Sequence, residues 1–245
     1  MKNTYQKDLF IGLSHRGNSK KFIENSFEAF NSVIQMGYKY IETDLRMTLD
    51  REVIAFHDPD LKRLFNLDLK VKDLTFNEIA NLFTEKNCSL LTLENTLEKF
   101  PEIHFNIDLK VKEVIEDSIN VVADLNAFDR VCFASFCSSH TKRVLQNNKN
   151  AIVSMGMKDV ALFKLFKLYN KNIKIIQIPL KWKGIKVLTR KFIQKADKNN
   201  LLLHVWTIND RKTINNLIDL GVNGIVTDEP ELLMEIMKER DLISD

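Results

Sequence analysis

Glycine and proline are scarce, at seven and four in 245 residues. That excludes long flexible linkers and low-complexity tails. Cysteine is rarer still: Cys88, Cys132 and Cys137 make an odd count without metal-type spacing. A disulfide framework is thereby excluded, and reduced structural thiols are expected. No apolar run approaches the ~18 residues of a membrane-spanning helix. Met1–Asp8 contains no apolar core of the secretory type, so a cytoplasmic protein is expected. What remains is an ordinary globular composition, 44% hydrophobic and 28% charged with a net charge of +3.

Short apolar runs alternate along the chain with longer segments of helical period. The strand candidates are Leu9–Ser14, Tyr40–Leu45, His104–Leu109, Val131–Phe136, Ala151–Met155, Lys174–Ile178, Leu202–Thr207 and Gly224–Thr227. Asn25, with Glu28 three residues on, is expected to cap a helix running to Met36, closed by Gly37. Further helices are expected at Glu113–Leu125, Ser139–Gln146, Met157–Tyr169, Thr189–Lys198, Asp210–Leu220 and Glu231–Arg240. Strands alternating with helices favour parallel pairing through right-handed crossovers. Eight such units fit one (β/α)8 (TIM) barrel over residues 1–245. No Gly-x-Gly-x-x-Gly turn follows the first strand to support a doubly wound sheet. Residues 58–90 hold no convincing strand, only a short helix near Asn77–Phe83, and are expected to form a small insertion after the second strand.

The polar residues fall where such a barrel does its chemistry, at the C-terminal ends of strands. His15 and Arg16 end the first strand. Glu42 and Asp44 are two apart near the end of the second, which sends both side chains to one face. His57 opens the following loop, and Asp108 and Lys110 repeat the two-residue spacing on the third. Three carboxylates at one mouth (Glu42, Asp44, Asp108) would repel one another without a cation. An all-oxygen set suits one hard divalent ion, Mg²⁺ or Ca²⁺. His15 and His57 can move protons near neutral pH, and Arg16 and Lys110 can hold the non-bridging oxygens of a phosphate. Together these parts describe a phosphodiester hydrolase.

Specific motifs extend this reading. Ser14-His-Arg-Gly17, Glu24-Asn-Ser26, Glu42-Thr-Asp44, His57-Asp-Pro-Asp-Leu61 with Arg63, and Asn106-Ile-Asp-Leu-Lys110 resemble the glycerophosphodiester phosphodiesterase family. So do Val205-Trp-Thr-Ile-Asn209 and Gly221-Val-Asn-Gly-Ile-Val-Thr-Asp228, so the likeness spans nearly the whole chain. The resemblance implies a (β/α)8 barrel with an insertion after the second strand. It also implies metal-dependent hydrolysis of small glycerophosphodiesters to glycerol 3-phosphate and an alcohol. Carried over by position, Glu42 and Asp44 are metal ligands, His15 and His57 the acid–base pair, Arg16 and Lys110 phosphate contacts, and Trp206 a pocket-lining aromatic. The family places a glutamate where this chain has Asp108, one methylene shorter. The resemblance implies a mechanism in which a glycerol hydroxyl attacks phosphorus, a histidine protonates the leaving alcohol, and water opens the cyclic phosphate.

Glu24 is a candidate brace beside the site, and Asp228 reads as closing a turn before Pro230. Between Lys158 and Lys198 stand twelve Lys or Arg against Asp159 and Asp197, a local net of +10. Two readings of this segment stay open: a solvated helix face of snorkelling lysines, or peripheral contact with an anionic membrane. Its aromatics follow helical spacing rather than forming a stacking platform, which argues against nucleic acid. Two other functions remain alongside the leading one. One is lysophospholipase D-type hydrolysis of membrane lysophospholipids; the other is a non-catalytic barrel that binds phosphodiesters.

Overall fold

The computed structural model describes residues 10–243. Eight parallel strands carry the fold: β1 (Ile11–His15), β2 (Tyr40–Met47), β4 (His104–Leu109), β5 (Val131–Ala134), β6 (Ile152–Val153), β7 (Ile175–Pro179), β10 (Leu202–Trp206) and β11 (Gly224–Thr227). They pair in the order β6-β5-β4-β2-β1-β11-β10-β7, and a parallel bridge from Ser154 to Ile175 brings the two ends together. All eight expected strands are present as a nearly closed (β/α)8 barrel; Leu9, the expected start of the first, lies outside the described residues. Two short strand pairs are not among the eight strands expected. β3 (Val53–Ala55) folds back antiparallel on β2, and β8 (Lys181–Trp182) forms a hairpin with β9 (Ile185–Lys186). Runs of two or three residues carry too little periodicity to be read from sequence.

Helices alternate with these strands: α1 (Phe27–Gln35), α4 (Leu93–Lys99), α5 (Val114–Asp124), α6 (Ser138–Asn147), α7 (Met157–Phe166), α8 (Arg190–Asp197), α9 (Arg211–Asp219) and α10 (Pro230–Glu239). The cap of α1 corrects the sequence expectation. Ser26, not Asn25, accepts from the Ala29 amide. Asn25 adopts φ 60° and spends its side chain on the barrel, donating to Asp44 and accepting from Thr43. Glu28 binds the Ser89 amide and hydroxyl instead of completing a box. α7 ends at Phe166 because Lys167 turns left-handed, three residues before the expected end at Tyr169. α4, unanticipated, opens on Thr92, whose hydroxyl accepts from the Asn95 amide. Its seven residues span two turns, too few for a clear period.

Residues 58–90 do form an insertion, with α2 (Lys62–Phe65), a 3₁₀ turn at Val71–Asp73 and α3 (Phe76–Thr84). A core of its own, including Phe56, Leu61, Val71, Ile79 and Phe83, seats it on the mouth side of β2 and β3. The main core lies between strands and helices, as the wound architecture requires. A second cluster fills the barrel, with Ile11 and Leu13 from β1, Tyr40 from β2 and Val226 from β11. Period two then decides the mouth. The parity that turns Ile11 and Leu13 inward also turns His15 inward, and Tyr40 leads to Glu42 and Asp44. Gly224 is needed at this packing: a Cβ there would stand 2.8 Å from the Ile11 carbonyl oxygen and 2.9 Å from the His204 ring.

Candidate active site

His15, Arg16, Glu42, Asp44, His57, Asp108, Lys110 and Trp206, the full set expected from sequence, line one cavity of ≈ 390 Å³ at the C-terminal mouth. Strand register explains much of the convergence. His15 lies beside Glu42, and Asp44 beside Asp108, as direct neighbours in parallel pairs.

Each histidine is anchored from behind. Asp228 sits 2.6 Å from His15 Nδ1, and Asp58 sits 2.6 Å from His57 Nδ1. Fixing Nδ1 orients the ring and leaves Nε2 for the cavity. His15 Nε2 lies 3.8 Å from Glu42 Oε2. Burial opposes charge on His15, but the Asp228 hydrogen bond and the Glu42 carboxylate outweigh it, and its pKa is raised. For His57 burial prevails, aided by Lys110 and Arg16 against Asp44 and Asp58, and its pKa is lowered.

Behind the mouth runs a chain of alternating charges. Asp58 Oδ2 accepts from Arg63 Nε at 2.6 Å, and the Arg63 fork reaches both Glu24 oxygens at 2.8 and 2.6 Å. Glu24 also accepts from Arg16 Nη1 at 3.0 Å, and Arg16 Nε lies 3.0 Å from Asp44 Oδ2. Lys110 Nζ then bridges Asp44 Oδ1 at 2.7 Å and Asp108 Oδ2 at 2.6 Å. Glu24 is thus the brace expected of it, buried and holding two arginines. Arg16 itself adopts φ 60° and is followed by Gly17 at φ 76°. A Cβ on Gly17 would meet the Ala29 backbone at 2.6 Å, so this turn requires glycine.

The carboxylates are unequally served. Burial disfavours charge on Asp44, yet Lys110 and Arg16 pull its pKa down to about 2. For Glu42 burial and the Asp44 charge outweigh the attraction of His15, Lys110 and Arg16 and push its pKa up to about 8, and Oε2 accepts no hydrogen bond. Burial likewise raises Asp108, against the attraction of Lys110. A buried carboxylate oxygen without a donor is an incomplete site, and an oxygen-seeking cation would complete it. The donor set fits a hard divalent ion. Among the described residues, however, no three His, Cys, Asp or Glu side chains are gathered as a ready cage. The Lys110 ammonium accounts for this, since it stands between two of the three carboxylates.

Several functional neighbours escaped sequence reading. Asp228, read as a turn residue, orients His15 and is itself held by the Asn209 amide at 2.8 Å. Asp58 and Arg63 lay within a recognised motif but had no assigned role; the adjacency of His57 and Asp58 was the available signal. Phe136 and Trp182 also line the cavity, joined to Trp206 by ring contacts of 5.5 Å (Phe136–Trp206) and 5.8 Å (Phe136–Trp182). His204, which alternates to the inward face with Trp206, does not reach the cavity; it is fully buried in the barrel, and desolvation lowers its pKa to about 4.

A barrel with histidines, carboxylates and paired cations at its mouth is a phosphoric diester hydrolase in architecture. Residues 15–232 match the model of the glycerophosphoryl diester phosphodiesterase family, and the chain belongs to that family. It is 29% identical over 241 residues to a Mycobacterium tuberculosis protein named probable glycerophosphodiester phosphodiesterase 2, covering 94% of this chain and 91% of that one. The Mus musculus lysophospholipase D GDPD1 is 23% identical over 276 residues, covering 95% and 87%. Among solved structures, an Oleispira antarctica phosphodiesterase in complex with the product sn-glycerol-3-phosphate superimposes with a TM-score of 0.77 at 18% identity, covering 95% and 97%. The chain is accordingly an enzyme of the phosphoric diester hydrolase class. Among the described residues no helix is long and apolar enough to cross a membrane.

Proposed function

We propose that this enzyme hydrolyses glycerophosphodiesters to glycerol 3-phosphate and an alcohol, with His15 and His57 as its acid–base pair. The observation that carries this reading is the paired anchoring: two imidazoles, each bonded to an aspartate at Nδ1, at one mouth with three carboxylates. One histidine takes the proton of the attacking glycerol hydroxyl while the other gives a proton to the departing alcohol oxygen. Water then opens the cyclic phosphate with the two roles exchanged. Glu42, Asp44 and Asp108 would hold one divalent cation, which would supply polarisation of a phosphoryl oxygen and neutralisation of developing charge. Lys110, which bridges Asp44 and Asp108, and Arg16 would contact the non-bridging oxygens. Trp206 provides an apolar wall beside the glycerol.

Glycerol 3-phosphate release from glycerophosphocholine, measured with Mg²⁺, Ca²⁺ or EDTA, tests the proposal. Turnover with either ion and none in EDTA is expected. Equal turnover in EDTA removes the cation from the reading, and no turnover with any ion removes the substrate.

A second substrate class is favoured by one feature. Away from the charged pole the cavity is walled by Phe136, Met155, Met157, Val160, Trp182 and Val187. An acyl chain fits such a wall and a small hydrophilic alcohol does not require it. Monoacyl glycerophosphodiesters, lysophospholipids, are therefore the second substrates we propose. Release of free choline from lysophosphatidylcholine, compared with glycerophosphocholine at equal concentration, decides which is preferred.

A further inference from the structure

The cavity's apolar end does not stop at its rim. Along α7, Met157 and Ala161 line the cavity, and Leu165 continues the same i, i+4, i+8 stripe outwards. Beyond the stripe the chain exposes Leu165, Phe166 and Leu168 at 71%, 65% and 60%, and the β8–β9 hairpin exposes Ile185 at 69%. Helix and hairpin are tied together, since Lys164 Nζ donates to the Lys186 and Val187 carbonyls at 3.1 and 3.2 Å. Trp182 on that hairpin and Val187 just after it line the cavity in turn.

Charge on this surface is uncompensated. Elsewhere on the exterior some basic side chains meet carboxylates, as at Lys20–Glu229, Lys21–Glu231, Arg51–Asp117, Arg143–Glu116, Arg211–Glu239 and Arg240–Asp219, whereas between Lys158 and Lys198 the only acids are Asp159 and Asp197. Among the described residues, none of the twelve basic side chains from 158 to 198 makes such a pair. Most are exposed, including Lys167, Lys181, Lys183 and Lys186. Exposed aliphatic and aromatic tips ringed by unpaired lysines are complementary to the interface of an anionic bilayer: tips enter the acyl boundary and ammonium groups meet the head groups.

We propose that the lip formed by the C-terminal half of α7 and the β8–β9 hairpin docks on an anionic lipid surface, setting the apolar end of the cavity against the membrane. The lipid origin of the substrate rests on the phosphodiesterase reading above, but docking itself does not require turnover. A lipid phosphodiester can then pass from the bilayer along Trp182 and Phe136 to Trp206 and the histidines without its apolar part crossing water.

Vesicle sedimentation tests this with the intact protein. Vesicles of phosphatidylcholine mixed with phosphatidylglycerol are expected to bind at least about tenfold more tightly than phosphatidylcholine alone, and added salt should weaken the binding. The L165S/F166S/I185S variant is expected to lose about tenfold in that binding while hydrolysing glycerophosphocholine at the wild-type rate. Should that variant not fold, K181E/K186E provides the same readout through charge. Equal binding to neutral vesicles, undiminished binding by both variants, or preference for a single-stranded oligonucleotide overturns the proposal. Failure of the wild type to hydrolyse glycerophosphocholine strikes the catalytic reading alone, since sedimentation is scored without turnover.

Discussion

His15 and His57 differ in their surroundings but share one device, a carboxylate on Nδ1. Replacing either histidine with asparagine is expected to lower kcat by about 10²–10⁴, the usual weight of general acid–base catalysis. Asp58→Asn keeps the shape and removes the anchoring charge, so a smaller loss, about tenfold or more in kcat with KM little changed, is expected in steady-state kinetics. Glu42 is a carboxylate whose protonation the fold perturbs strongly. An acid raised in the folded protein stabilises it below the unfolded pKa and loses that contribution as pH rises through the folded value. With no divalent ion, stability referred to Glu42→Gln should therefore fall between pH 4.5 and about 8. Added Mg²⁺ or Ca²⁺ should reverse the fall. Urea titrations of both proteins across that range, with EDTA or cation, check it. A difference that does not change with pH would show that Glu42 is not carrying an unpaired charge.

At the scale of elements, Asp58 and Arg63 join the insertion to the proposed catalytic residues. Arg63 on α2 binds Asp58, which holds His57, and Glu24, which holds Arg16. Arg63→Met keeps much of the side chain's apolar bulk and breaks both connections. It is expected to lower kcat about tenfold to a hundredfold while leaving the barrel folded, as read by kinetics and circular dichroism together. Ser26 tests a different connection. Its hydroxyl caps α1, and loss of such a cap costs about 1 kcal/mol, so Ser26→Ala should lower the urea midpoint without altering the slope. Asn25, one residue earlier, shows why cap and site were confused in the sequence. Asn and Ser are both good caps, and their order alone does not say which side chain faces the helix and which the barrel. The choice follows from the left-handed backbone at Asn25, which directs its amide to Asp44.

For the whole molecule, the buried imidazole of His204 links the barrel interior to pH. Desolvation holds it near pKa 4 in the folded protein against 6.5 when exposed. The unfolded chain thus binds the extra proton first, and stability falls as pH drops from 6.5 towards 4, by up to about 3 kcal/mol. Wild type is expected to lose more stability than His204→Gln over that interval; parallel losses would show that His204 titrates normally in the fold. The barrel also explains how distant motifs become one site. Asp228 reaches His15 across 213 residues because β11 closes against β1.

The alternation of apolar runs and helical periods was enough to locate eight strands and every barrel helix but α4, and period two was enough to put Glu42 with Asp44 on one face. Spacing of chemically costly residues at strand ends identified the mouth, because such groups are kept there only by partners or function. Those are local properties, written within a few residues. Tertiary structure decided what local pattern cannot hold: which carboxylate serves which cation. Lys110 is shared by Asp44 and Asp108, Glu42 is left without a donor, and Asp228 becomes a histidine anchor instead of a turn residue. Each outcome depends on distances between strands far apart in the chain, set by barrel closure. The sequence named the groups proposed for catalysis; the packed barrel determined their partners, because only there do desolvation and close charges act together.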